Sequence, residues 1–97
     1  MHRLSLLALA LLVSLGASCF SAFADDTDTC VKAAGDERIV ACSRVITAGK
    51  GNLSWAYYNR GLAYQEKGDI KDARRCYKSC ISEGKRGSKA DCAAMLR

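Results

Sequence analysis

The 97-residue chain has no proline, and its one histidine is His2. It therefore lacks the residue that most strongly breaks helices and, past residue 2, the side chain that most often serves as a general base. Without proline, helices must be ended by glycines and polar caps. Without histidine, a Ser, Thr or Cys nucleophile would need another base, and none stands at a recognisable spacing. The chain is therefore read as a non-enzyme. A zinc site would have to be built from scattered thiolates alone, so neither a metal nor a cofactor is expected. The spacing Cys76-x-x-x-Cys80 is not the Cys-x-x-Cys of oxidoreductases. No stretch alternates apolar and polar residues with β-branched enrichment, which excludes strands and leaves an all-α chain.

Long apolar runs are also missing. The single one, Leu4 to Leu15, is interrupted by Ser5 and Ser14 and falls short of the roughly 20 residues that span a bilayer, so no transmembrane span is expected. It follows a short basic start, Met1-His2-Arg3, and precedes Ala22-Phe23-Ala24, whose small residues occupy the positions a signal peptidase reads. Residues 1–24 are accordingly read as a signal peptide, with the mature chain at 25–97 exported to the periplasm or secreted. A lipid-anchored Cys19 is the alternative, but Leu15 lies one residue too far from it. Loss of Arg3 lowers the formal charge from +5 to +4. The remaining charge is uneven: residues 25–54 hold five acids and four bases, whereas 71–97 hold eight bases and three acids. The basic half favours anionic partners.

Isolated glycines divide the mature chain into five short helices. The first is expected from about Thr29 to Ala34, stopped by Gly35, and a second, capped by Asp36, carries Ile39, Val40, Val45 and Ile46 before Gly49-Lys50-Gly51 breaks it. A third runs from near Asn52 or Ser54 to Lys67 and ends at Gly68. Asp69 then caps a fourth, which covers Ile70 to Glu83. Ser88 and Asp91 are spaced like a capping box and open a fifth. Asp69 and Asp72 are more simply a cap and a first-turn acid than a catalytic pair.

Between the third and fourth helices, Tyr57, Gly61, Tyr64, the turn Gly68-Asp69, Ala73 and Tyr77 fall in a fixed register. That pattern, from Ser54 to Ile81, resembles a tetratricopeptide repeat, a helix-turn-helix unit with small residues at the close helix approach and large ones around it. Tyr57 stands where the family usually has tryptophan, Arg60 where it has leucine and Cys80 where it has alanine, and the terminal proline is missing. Upstream, Arg38-Ile39-x-x-Cys42-x-x-Val45-Ile46 parallels Ala73-Arg74-x-x-Tyr77-x-x-Cys80-Ile81 at an offset of 35 residues, like a degenerate copy. The expected domain is thus a degenerate repeat over 25–50, an intact one over 53–84 and a closing helix over 88–97. This is fewer than the three repeats that stability by stacking alone requires.

Covalent staples would offset that deficit. Five cysteines follow residue 24, and in an exported chain they should be oxidised. Cys30 and Cys42 lie symmetrically about the Gly35-Asp36 turn, and Cys80 and Cys92 about the Gly84–Gly87 turn. In antiparallel hairpins such residues face each other, so disulfides Cys30–Cys42 and Cys80–Cys92 are expected, with Cys76 free. Because Cys76 and Cys80 share a helix face one turn apart, a Cys76–Cys92 pairing remains open.

The resemblance implies a protein-interaction module whose first helix lines a groove. The positions that match are Trp55, Tyr58, Leu62, Gln65 and Glu66, with Asn59 beside them, and the implied partner is a protein or peptide. The same strip can instead pack against the first half of the chain or a second copy, so weak self-association is also expected. A second surface collects Lys71, Arg74, Arg75 and Lys78 on one face of the fourth helix, with Lys85 and Arg86 beyond. It suits an anionic surface. Nucleic acid is not expected, since no aromatic side chains interleave there for base stacking.

Overall fold

The computed structural model describes residues 25–84 and 88–97, with the side chain of Ser88 excepted. Residues 1–24, with the expected signal peptide, and Lys85 and Arg86 of the expected basic surface lie outside these residues. Every regular element described is an α-helix: α1 (25–32), α2 (Gly35–Ala48), α3 (Ser54–Glu66), α4 (Ile70–Glu83) and α5 (Ser88–Met95). Consecutive helices pack as hairpins, with α3 in the middle against α2, α4 and α5.

The last three helices lie where the sequence pattern puts them. Between α3 and α4 the chain reverses through Gly68, whose φ of 83° is open to glycine at little steric cost. The N–H of Gly68 donates to the carbonyl of Gln65 (3.0 Å) and that of Asp69 to the carbonyl of Tyr64 (2.9 Å). This pair of bonds closes the helix end and turns α4 back along α3. Upstream, the Asn52 side-chain oxygen accepts the N–H of Ser54 (3.0 Å), satisfying a backbone donor at the start of α3.

The first two helices differ from expectation. Helix α1 covers 25–32 and not 29–34, and α2 starts at Gly35 with Ala34 in the cap position and no side-chain cap. Asp36 is therefore not a cap. Its carboxylate instead accepts from Lys67 Nζ at 2.6 Å, tying the start of α2 to the end of α3, while its place in the first turn still suits the helix dipole. Asp69 does occupy the cap position of α4, but its backbone carbonyl, accepting from Ala73 N–H at 3.1 Å, makes the contact and its side chain does not.

Among the described residues, two small apolar clusters form the core. Cys30, Ala41, Cys42, Val45, Leu53 and Ala56 make the first, and Ala73, Tyr77, Cys80 and Cys92 the second. Tyr57 packs against both. Each cluster encloses a disulfide, Cys30–Cys42 joining α1 to α2 and Cys80–Cys92 joining α4 to α5, and Cys76 is a buried free thiol. Both staples pair the cysteines equidistant from a turn, which resolves the alternative of Cys76 with Cys92. Most other core residues are small, so the bridges supply constraint that bulk does not.

Candidate functional site

Helix α4 is amphipathic at the spacing a packed helix requires: Ala73, Cys76, Tyr77 and Cys80 are buried, while Lys71, Arg74, Arg75 and Lys78 are exposed. The buried face meets α3 at Gly61, where the Tyr77 ring lies so close that a Cβ would stand 2.5 Å from Cε1. The absence of a side chain at Gly61 thus sets the distance between the two helices and fixes which residues of α3 turn outward.

The sequence-predicted strip on α3 lies between the two clusters and is only partly covered by them. Trp55 is half-buried against the first cluster. Tyr58 is half-buried against the second, its ring 6.2 Å from that of Tyr77 and tilted by 50°. Leu62 is half-buried one turn on, and Gln65 and Glu66 are exposed. Two amides of the strip are oriented by local hydrogen bonds. Asn59 Nδ2 donates to the Trp55 carbonyl (3.0 Å), which leaves its oxygen as an acceptor. Tyr77 Oη donates to Gln65 Oε1 (2.8 Å), which leaves the Gln65 amide nitrogen as a donor. Burial of Tyr77, with Tyr58 next in effect, pushes its phenol up to about 12, so it remains a neutral donor across the physiological range.

Arg60 was legible in the sequence only as a departure from the repeat pattern. In the structure it links three helices: Nε donates to Cys76 Sγ on α4 (3.2 Å), Nη1 donates to Ser43 Oγ on α2 (3.2 Å), and the guanidinium sits 5.3 Å from the Tyr57 ring centre. These contacts occupy the free thiol and place it in the packing of the hairpins.

The basic residues of α4 occupy the side of that helix turned away from α3. Arg75 lies 3.6 Å from Asp72, and among the described residues Lys71, Arg74 and Lys78 have no acidic partner. A feature the sequence did not indicate lies on the other hairpin. There an open concavity of about 440 Å³ is lined by Asp26, Ile39, Val40, Ser43, Arg44 and Thr47. Asp26 and Arg44 pair across it at 3.4 Å. Its only sequence signal was the apolar Ile39-Val40 pair, and it shares no residue with the α3 strip. No described helix is long and apolar enough to cross a membrane.

No curated protein and no solved structure matches the chain at a significant level. Residues 54–83 match the family model of the tetratricopeptide repeat. Helices α3 and α4 are thus similar to one such repeat, and the described residues form helical hairpins, all-α and consistent with that fold, closed by two disulfides.

Proposed function

We infer that this chain is an exported protein-interaction module that binds a peptide or a partner helix along the outward strip of α3, and that it acts by binding and not by catalysis. The observation that carries this reading is the tetratricopeptide match over 54–83, because such repeats typically serve as interaction modules. The strip of Trp55, Tyr58, Leu62, Asn59, Gln65 and Glu66 offers half-buried apolar side chains flanked by one oriented acceptor and one oriented donor. Residues 59 and 65 are about 9 Å apart along the helix, a span of two to three residues of extended peptide. The backbone of such a peptide supplies the complementary donor and acceptor, and an apolar side chain between them would meet Leu62.

Export is supported by the leader-like pattern of residues 1–24 and by the two disulfides, which persist in oxidising compartments. The α1–α2 hairpin is proposed as a degenerate repeat. Ala41, Cys42 and Val45 are buried on α2 as Cys76, Tyr77 and Cys80 are on α4, each pair 35 residues apart.

Selection of a random peptide library on the oxidised protein tests the reading, with Trp55, the only tryptophan, as a fluorescent reporter. Retained peptides should share an apolar anchor and shift the Trp55 emission. Leu62→Ala should weaken them at least tenfold, the loss expected of a central contact. Peptides held equally well by the Leu62→Ala and Trp55→Ala variants would count against the strip.

A further inference from the structure

We propose that the outer face of α4 docks the protein onto an anionic phospholipid bilayer. Lys71, Arg74, Arg75 and Lys78 are all exposed, and they recur at three- and four-residue intervals over about 10 Å of helix. Three of them have no acidic partner among the described residues, and the fourth has only the 3.6 Å contact of Arg75 with Asp72. A charged face with so little internal compensation suits a layer of phosphates.

The shape and composition of the face select among polyanions. Beside the cations lies Ile70, 53% exposed and one turn from Arg74 on the same side of the helix. An isoleucine there gains nothing from a soluble phosphate polymer, but it can enter the interfacial zone of a bilayer. Nucleic acid would be better served by aromatic side chains, and this face has none. Fluid headgroups can also move to each cation, so no fixed spacing of the partner's charges is needed. The opposite face of α4 is buried against α3 and α5. Docking would therefore leave the Trp55 strip turned away from the membrane, free for the partner inferred above, and the two surfaces are independent of each other.

Each cation near an anionic surface contributes a factor of about five to membrane affinity. The protein purified in its oxidised form, compared with a Lys71→Gln, Arg74→Gln, Lys78→Gln triple variant processed in the same way, should bind vesicles of phosphatidylcholine containing 30% phosphatidylglycerol about a hundredfold more tightly. Binding to pure phosphatidylcholine should be weak, and the interaction with anionic vesicles should fall steeply as salt rises. Ile70→Ser should lower vesicle binding several-fold while leaving the affinity for soluble polyphosphate unchanged. Glutamine keeps the helix propensity of these exposed positions, and an unaltered circular dichroism spectrum would confirm that the variants fold. Equal binding of the triple variant and the parent would overturn the proposal. So would equal binding to the two vesicle types, or tighter binding of polyphosphate or duplex DNA than of anionic vesicles. A Trp55→Ala variant should bind vesicles as the parent does, so failure of the peptide reading and failure of this one are read separately.

Discussion

A Cβ at position 61 would lie 2.5 Å from Cε1 and 2.9 Å from Cδ1 of Tyr77, a ring that is 1% exposed and packed with Ala73, Cys80 and Cys92. Alanine would raise the intrinsic helix propensity of α3 by about 1 kcal/mol, but overpacking against an immobile ring costs about 1–3 kcal/mol. Gly61→Ala should therefore destabilise the protein by up to about 2 kcal/mol in urea unfolding, and a stabilised variant would show that the hairpin is less tightly closed than described. Tyr77 also makes stability depend on alkaline pH. Its phenol is pushed up to about 12 in the fold, chiefly by burial, from an ordinary value of 10.0. Between those two values the unfolded chain loses the proton while the folded chain keeps it, so this contribution is intact below pH 10 and is lost as pH rises to 12. Partial solvent contact at the hydroxyl keeps the loss below the full shift, on the order of 1–2 kcal/mol. Tyr77→Phe should cost about 1 kcal/mol at pH 7 through the lost bond to Gln65 and flatten the fall between pH 10 and 12. The spacing of Gly61 and Tyr77 made their meeting legible in the sequence. The contacts of Arg60 were not legible, because they depend on where α2 comes to rest against two other helices.

Helices α1 and α5 are each too short to persist alone, since isolated helices under about 12–15 residues are marginal in water. Each is tied by a disulfide to the longer helix beside it, and closing a loop of this size contributes about 3 kcal/mol in the chain-entropy model. Replacing Cys80 and Cys92 together by serine should cost about that much and release α5. Amide exchange over residues 88–95 should then approach the unfolded rate while α3 and α4 stay protected. Full protection of α5 without the bridge would mean that packing of Met95 and Leu96 against the second cluster is enough. The pairing could be read from the sequence because glycine turns fix the midpoints of the hairpins. The start of α2 could not, because the helix begins at Gly35 behind an extended Ala34 with no side-chain cap, and the Asp36 carboxylate pairs instead with Lys67, thirty-one residues away. An exposed pair of that kind contributes little to stability.

At the scale of the whole molecule, the described residues form two small cores and not one. The first gathers around Cys30–Cys42 and the second around Cys80–Cys92, and neither holds enough apolar bulk to be comfortably stable by itself. Tyr57 touches both, and Arg60, lying over the Tyr57 ring, bonds to Ser43 on one side and Cys76 on the other. Cooperative unfolding should then pass through Tyr57. Truncating a half-buried aromatic costs less than the 3–5 kcal/mol of a fully buried one, so Tyr57→Ala should lower overall stability by about 2–3 kcal/mol. Its more specific effect would be on coupling: hydrogen exchange in α1 and α2 should become faster than in α4 and α5, two units opening separately where the parent opens as one. The second unit should be the more persistent, because it keeps Tyr77 seated on Gly61 and the reversal at Gly68. If all helices of the variant lost protection together and by equal amounts, the clusters would be joined by more than this residue, with the α2–α3 packing around Leu53 and Ala56 the first place to look.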